Sequence, residues 1–303
     1  MDNRKYNGKV ILFGEYSMIF GSNALLIPYY SVSGEWSFIS NEACKSAMES
    51  NSNLSKYFDY LRTNDRFRIL DLRRMETEIN AGLFFDSNIP NGYGVGSSGA
   101  LVAAIYDRYK LIDIEDTNEL IELLATMENY FHGSSSGIDP LQCYYGKPFI
   151  LNGQRTTDNG QQLLSNDFMS DNIHIFLIDT KIKSPTAPLV EKFKELRNDN
   201  SYLEKFNNKY IPLVNECISS LIKNNDDEFF NNLSELSKMQ TEMLGHTIPE
   251  NVKEFFFFDI DKDGFQVKLC GAGGGGFLLG FTKDIDKTKE YWQNTEYQIH
   301  WVK

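Results

Sequence analysis

The chain has 303 residues, the length of one large or two ordinary domains, and its 41% apolar content is enough for a packed core. Thirty Lys and Arg against 42 Asp and Glu give a net charge of −12, which excludes a broad phosphate-neutralising grip on nucleic acid. No apolar run approaches the ~18–20 residues needed to cross a bilayer, and the first eight residues are polar rather than signal-like. Cys44, Cys143, Cys217 and Cys270 are scattered, without a CxxC pair. The expectation is a cytoplasmic chain with reduced, mostly buried thiols and no membrane partner.

Residues 9–13 (KVILF) form a short apolar run stopped by Gly14, which predicts a buried strand. The segment 59–78 carries Arg62, Arg66, Arg68, Arg73 and Arg74, balanced by Asp59, Asp65, Asp71, Glu76 and Glu78. It predicts a solvated mixed-charge surface rather than an anion site. Residues 99–109 are apolar nearly all round at first and predict a buried helix beginning just after Ser97-Ser98. A second helix is announced by Asp116 and Glu119 in capping-box-like spacing. Leu120, Leu123, Leu124, Met127, Tyr130 and Phe131 then recur at helical period. Glu128 lies at the edge of that stripe near the helix C-terminus, where a carboxylate opposes the macrodipole.

The polar stretch 152–171 is the candidate boundary, and 173–178 (IHIFLI) predicts the strand that follows it. Helices are predicted over 189–197, 202–222 and 226–244, with Pro212 kinking or splitting the middle one. Residues 267–269 and 277–281 read as two strands joined by a tight loop, and 297–302 as one more. The class is mixed α and β.

Nine of the 22 glycines fall in two windows: Gly92, Gly94, Gly96 and Gly99, then Gly271, Gly273, Gly274, Gly275 and Gly276. The first window directly precedes a helix, so its amides can approach an anion with the helix N-terminus behind them. Ser97 and Ser98 can donate to phosphate or ligate magnesium; a tight turn with serine caps is the alternative. No GxxxxGK[ST] occurs, so a triphosphate here would need a cation from elsewhere. Glu128 is a candidate to hold magnesium, which takes one or two carboxylates plus phosphate oxygens and water. The run from His132 to Pro140 leads to Asp139, whose carboxylate could orient a substrate hydroxyl and accept its proton; an Asp-Pro turn is the other reading. Five glycines in the second window would weaken an ordinary hairpin, so something demands close backbone approach. A phosphate-proximal loop and a contact between domains are both open.

In this order, these segments resemble the three motifs of the GHMP kinases: residues 8–16 (GKVILFGEY), 90–98 (PNGYGVGSS) and 269–276 (LCGAGGGG). The resemblance spans nearly the whole chain. It implies an α+β fold of two domains, a ribosomal-protein-S5-like one over 1–155 and a ferredoxin-like α+β one over 156–303. Within the family the mevalonate kinases are nearest: His132-Gly-x-x-Ser136-Gly-x-Asp139 resembles their HGxPSGxD, with Ser135 where proline is usual. Their magnesium glutamate lies eleven residues before the catalytic aspartate, the spacing of Glu128 from Asp139. Residues 179–186 resemble NTKVPxxT and bring in Thr186.

The resemblance implies Asp139 and Lys9 as the catalytic pair and Ser98 with Glu128 on Mg2+. It implies ATP held by Gly92, Gly94, Gly96, Ser97, Ser98, Gly271, Gly273, Gly274 and Gly275. Glu15, Tyr16, Ser136 and Thr186 fall at the acceptor, with Lys181 or Lys183 as further candidates for an acceptor carboxylate. Two departures bear on substrate. Tyr16 stands where mevalonate kinases carry a histidine that contacts mevalonate, so that Gly-Glu-Tyr is closer to phosphomevalonate kinases. Gly99 replaces the usual alanine. The expected activity is transfer of the ATP γ-phosphoryl group to an alcohol, mevalonate first and phosphomevalonate or another small alcohol second. A non-catalytic ligand-binding regulator is the alternative of a different class, and a homodimer is left open.

Overall fold

The computed structural model describes residues 4–40, 45–153, 161–183, 186–196 and 198–302, with backbone only at 161, 186 and 187. Backbone contacts group the chain into two units. One takes residues up to 9, 28–90 and 95–146; the other takes 10–27, 91–94 and those from 147 on. The units interleave along the chain, where 1–155 and 156–303 would be a single cut. Strands β1 (Tyr6–Phe13) and β2 (Ala24–Phe38) contribute residues to both.

In the first unit β2 pairs antiparallel with β3 (Leu83–Ser87), Gly34 opposite Ser87 and Phe38 opposite Leu83. Its helices are α1 (Lys45–Leu61), α2 (Leu72–Asn80), α3 (Ser97–Tyr109), α4 (Thr117–His132) and α5 (Ile138–Tyr145). The 59–78 segment is not merely surface. It closes α1, makes a 3-10 turn at Asp65–Ile69 and forms α2, anchored by buried Phe67, Leu70 and Met75. Much of its charge does sit in solvent, as in the Arg62–Asp59 and Arg68–Asp65 pairs at 3.0 and 2.7 Å, but Glu78 is largely enclosed by Arg74, Arg108 and Tyr109.

The Asp116 carboxylate caps α4 by accepting from the Glu119 amide at 2.8 Å, satisfying a first-turn donor. Leu120, Leu123, Leu124 and Met127 are buried, but Tyr130 and Phe131 are largely exposed, so the apolar stripe ends earlier than its period suggested. They still lie against Tyr57 of α1, with ring centroids at 5.0 and 5.1 Å. Tyr57 and Tyr60 donate hydroxyl protons to the carbonyls of Met127 and Thr126 at 2.9 and 2.7 Å, which fixes the last turns of α4.

Helices α3 and α5 pack at a separation only glycine permits. A Cβ at Gly99 would stand 2.9 Å from the Asp139 carbonyl carbon and 3.0 Å from Pro140 N. The missing methyl therefore lets the start of α3 rest on the peptide that carries Asp139.

The second unit pairs Ala24–Leu26 of β2 with β4 (Phe149–Leu151), and β4 with β5 (Gln161–Leu163). A separate antiparallel sheet runs in the order β7-β8-β6-β9, built from β6 (His174–Asp179), β7 (Phe265–Leu269), β8 (Phe277–Thr282) and β9 (Gln298–Trp301). Its helices are α6 (Thr186–Leu196), α7 (Asn200–Lys205), α8 (Ile211–Ile222), α9 (Asp226–Met243), α10 (Ile260–Asp263) and α11 (Ile285–Gln293). Pro212 splits the long helical pattern as its missing N–H requires: a five-residue π-helical turn, Phe206–Tyr210, separates α7 from α8. Strands β7 and β8 are buried along their whole length, and α9 packs on β7. Phe13, Phe229 and Phe281 interlock in this core with centroids 5.3–6.1 Å apart.

Cys143, Cys217 and Cys270 are buried and form no disulfide among the described residues; Cys44 lies outside them. Among the described residues no helix is long and apolar enough to cross a membrane.

Gly99→Ala is expected to lower the urea midpoint by the equivalent of about 1–3 kcal/mol, the usual cost of forcing atoms into a filled contact. An unchanged midpoint would show that α3 and α5 separate freely.

Candidate active site

In the first unit the site is built from β1, the turn into α3, and the α4–α5 connection. Lys9 is only 2% exposed, and an ammonium at that depth needs a carboxylate. Its Nζ lies 2.8 Å from Asp139 Oδ2. The Asp139 side chain keeps about a third of its surface exposed (33%), so the carboxylate is held by the lysine yet open to a ligand. Asp139 also occupies the first turn of α5, where the helix N-terminus favours negative charge.

Backbone geometry brings the first glycine window onto this pair. The Lys9 amide donates to the Val95 carbonyl at 2.9 Å. Gly96, at φ +86°, would place a Cβ 2.8 Å from Lys9 Cγ, so the lysine stem passes where a side chain would sit. Gly96 is also the residue before α3, and no side chain caps that helix. The serine-cap alternative therefore does not describe this turn. What stands there is a helix N-terminus opened by a left-handed glycine, an arrangement suited to an anion.

Glu128 is 3% exposed on the last turns of α4. Ser98 donates to its Oε1 at 2.8 Å and Ser135 to its Oε2 at 2.5 Å. Burial first, and then the charge of Asp139, push its carboxyl up to about 7 against the opposing pull of the two serines and Lys9. A cation would relieve that cost. The carboxylate and the Ser98 hydroxyl are hard oxygen donors of the kind magnesium takes. Among the described residues no cluster of three or more His, Cys, Asp or Glu could hold a metal, so the other ligands would be phosphate oxygens and water.

Two members of this set were not singled out by sequence reasoning. His132 Nε2 stands 2.9 Å from Ser98 Oγ; with the serine proton committed to Glu128, the imidazole is the donor. Its signal was positional, since His132 lies four residues after Glu128 on one helix face. Ser135, which replaces the family's proline, also accepts from the Gly137 amide at 3.0 Å. Ser136 is exposed in the same connection.

The second unit holds the remaining candidates. Glu15 is buried and its Oε1 accepts from Lys268 Nζ at 2.5 Å. The Tyr16 hydroxyl donates to the Ala272 carbonyl at 2.6 Å. Gly92 and Gly94 have left-handed φ of +81° and +72°. All five glycines from Gly271 to Gly276 also have positive φ. Close approach within the unit accounts for two of them: a Cβ would lie 2.5 Å from Thr247 O at Gly273 and 2.4 Å from Ile182 O at Gly275. The Lys181 ammonium is bonded to the Glu296 carbonyl, Lys183 is exposed, and the Thr186 side chain lies outside the described residues.

A family model described as GHMP kinases N terminal domain matches residues 64–147. The mevalonate kinase of Archaeoglobus fulgidus is 25% identical over 287 residues, covering 91% of this chain and 90% of that protein. Among solved structures, L. major mevalonate kinase in complex with R-mevalonate matches with TM-score 0.68 at 14% identity, over 99% of this chain and 95% of that one. The Streptococcus pneumoniae phosphomevalonate kinase matches with TM-score 0.63 at 16% identity, over 99% and 98%. At these identities the structural likeness establishes a shared fold.

The raised Glu128 pKa has a signed consequence for stability. The native chain keeps that proton to about pH 7, whereas an unfolded glutamate loses it near ~4.3, so stability falls as pH rises between those values. Glu128→Gln is therefore expected to raise the melting temperature of the metal-free protein at pH 8, by the equivalent of about 1–3 kcal/mol, and to change it little at pH 4. Equal effects at both pH values would contradict the raised pKa.

Proposed function

We propose that this chain is a kinase of the GHMP type, an ATP-dependent small-molecule kinase whose alcohol acceptor is mevalonate. The observation that carries the reading is the Lys9–Asp139 pair beside Glu128 and Ser98, in a chain matched almost end to end by the Archaeoglobus mevalonate kinase.

The acceptor hydroxyl is oriented by Asp139, whose carboxylate accepts the proton as the new oxygen–phosphorus bond forms and the β–γ bridging bond breaks. Lys9 holds that carboxylate in place and puts positive charge by the reacting oxygen. The amides at the start of α3 bind phosphate oxygens through the left-handed turn at Gly96, with Ser97 beside them. The same reading gives Gly92, Gly94, Gly271, Gly273, Gly274 and Gly275 to the nucleotide. Glu128 and Ser98 would hold Mg2+, which when bound neutralises charge on the β- and γ-phosphates. Phosphoryl transfer depends mainly on positioning and charge, so these groups form a sufficient set.

A second reading, phosphomevalonate as acceptor, is favoured by Tyr16, which replaces the histidine that meets mevalonate in the related kinases. A non-catalytic regulator would be free to lose Lys9, Asp139 or Glu128, and all three are present.

ADP release with MgATP and a panel of mevalonate, phosphomevalonate, homoserine and galactose tests the acceptor. Turnover with mevalonate is expected; turnover with phosphomevalonate alone selects the second reading, and none on any acceptor favours the regulator. Asp139→Asn is expected to lower kcat by about 10²–10⁴. A full rate in that variant would remove Asp139 from the mechanism.

A further inference from the structure

Tyr16 is the residue at which motif one departs from the mevalonate kinases, and its surroundings are unlike those of a substrate ligand. It is 8% exposed, with its ring 4.6 Å from that of Phe193. Its hydroxyl is committed to the Ala272 carbonyl at 2.6 Å. Its backbone stands at φ 60°, ψ −40°, a conformation that an aromatic residue adopts only when the surroundings impose it.

The neighbouring Glu15 holds the strand that leads into the same loop. Its partner Lys268 is 0% exposed, donates a second hydrogen bond to the Leu269 carbonyl at 2.6 Å, and lies 5.3 Å from the centre of the Phe13 ring. Glu15 thus reaches the Leu269 carbonyl through Lys268, and Tyr16 reaches Ala272 directly. Two further bonds hold the loop downstream: the amides of Gly274 and Gly276 donate to the carbonyls of Thr247 and Ile182 at 2.5 and 2.6 Å. A run with five left-handed glycines has little conformational preference of its own, so side chains outside it must select its shape.

We propose that Tyr16 is a positioning residue for the glycine loop 271–276, anchored by the buried Glu15–Lys268 pair, and that it sets nucleotide affinity rather than acceptor recognition. The part concerning nucleotide rests on the kinase reading above; the part concerning loop shape does not. A tyrosine at this position exchanges an acceptor contact for a clamp on backbone.

Tyr16→Phe keeps the ring against Phe193 and removes only the hydroxyl, and Tyr16→His installs the ring of the related kinases. Hydrogen–deuterium exchange of the peptide 269–277 is read without any ligand, and a fluorescent ATP analogue and acceptor kinetics are read on the same proteins. Both variants are expected to exchange this peptide faster and to bind the analogue about threefold to tenfold more weakly, the usual effect of losing one hydrogen bond. The acceptor KM is expected to stay within about twofold. Unchanged exchange in Tyr16→Phe, or an acceptor KM that moves while nucleotide affinity does not, would overturn the proposal. A wild-type protein that binds no nucleotide would instead overturn the kinase reading, leaving the exchange rates to decide the clamp.

Discussion

A buried lysine ammonium must be paired, and the first unit is arranged around meeting that demand for Lys9. Its carboxylate partner comes from the first turn of α5, and the pair can close only because two neighbours have no side chain. Gly96 makes room for the lysine stem and Gly99 lets α3 settle on the Asp139–Pro140 peptide. The reach of Lys9 to Asp139, the open helix N-terminus and the approach of Ser98 to Glu128 all follow from that packing. The cost of the arrangement is visible at Glu128, whose charge is opposed by burial and by Asp139. A cation held by Glu128 and Ser98, as proposed above, would relieve that opposition.

Motif one contributes twice, in chemically similar ways. Lys9 enters the first unit as a buried cation, and Glu15, six residues on, enters the second as a buried anion paired with Lys268. Removing one partner of so deeply buried a pair typically costs about 3–5 kcal/mol, since the survivor is left uncompensated. The geometry of the Lys9–Asp139 pair and that of the glycine loop are therefore both tied to a short stretch of nine residues. This gives a physical reason for a lysine, a glycine and a glutamate at fixed spacing there. The tyrosine that follows is a local choice, decided by what stands opposite it.

Much of the architecture was legible. The helix beginning at Ser97, the cap at Asp116, the break at Pro212, and the hairpin of β7 and β8 around the glycine loop all follow from local rules of period, capping and proline geometry. Strand β2 was not legible: its fifteen residues change from buried to half-exposed midway and include Pro28 and Gly34, so no single period marks them. Helix α2 was hidden because its charges outnumber its apolar anchors. Tyr130 and Phe131 were assigned to the core by their period, although the surface of the helix had already begun there.

The amino-acid sequence by itself determined which groups can do chemistry: Lys9, Glu128, Asp139, two serines and two glycine windows in a recognisable order. Their identities are local, and so is the preference of each segment for helix, strand or turn. Tertiary structure alone decided which of them meet. It placed His132 on Ser98 and Ser135 on Glu128, and turned Tyr16 away from solvent onto Ala272. It also showed that Gly273 and Gly275 are glycines because the chain passes close to Thr247 and Ile182. Differences of a few tenths of an ångström in the spacing of segments far apart in the chain set these contacts, and no pattern of neighbouring residues encodes them.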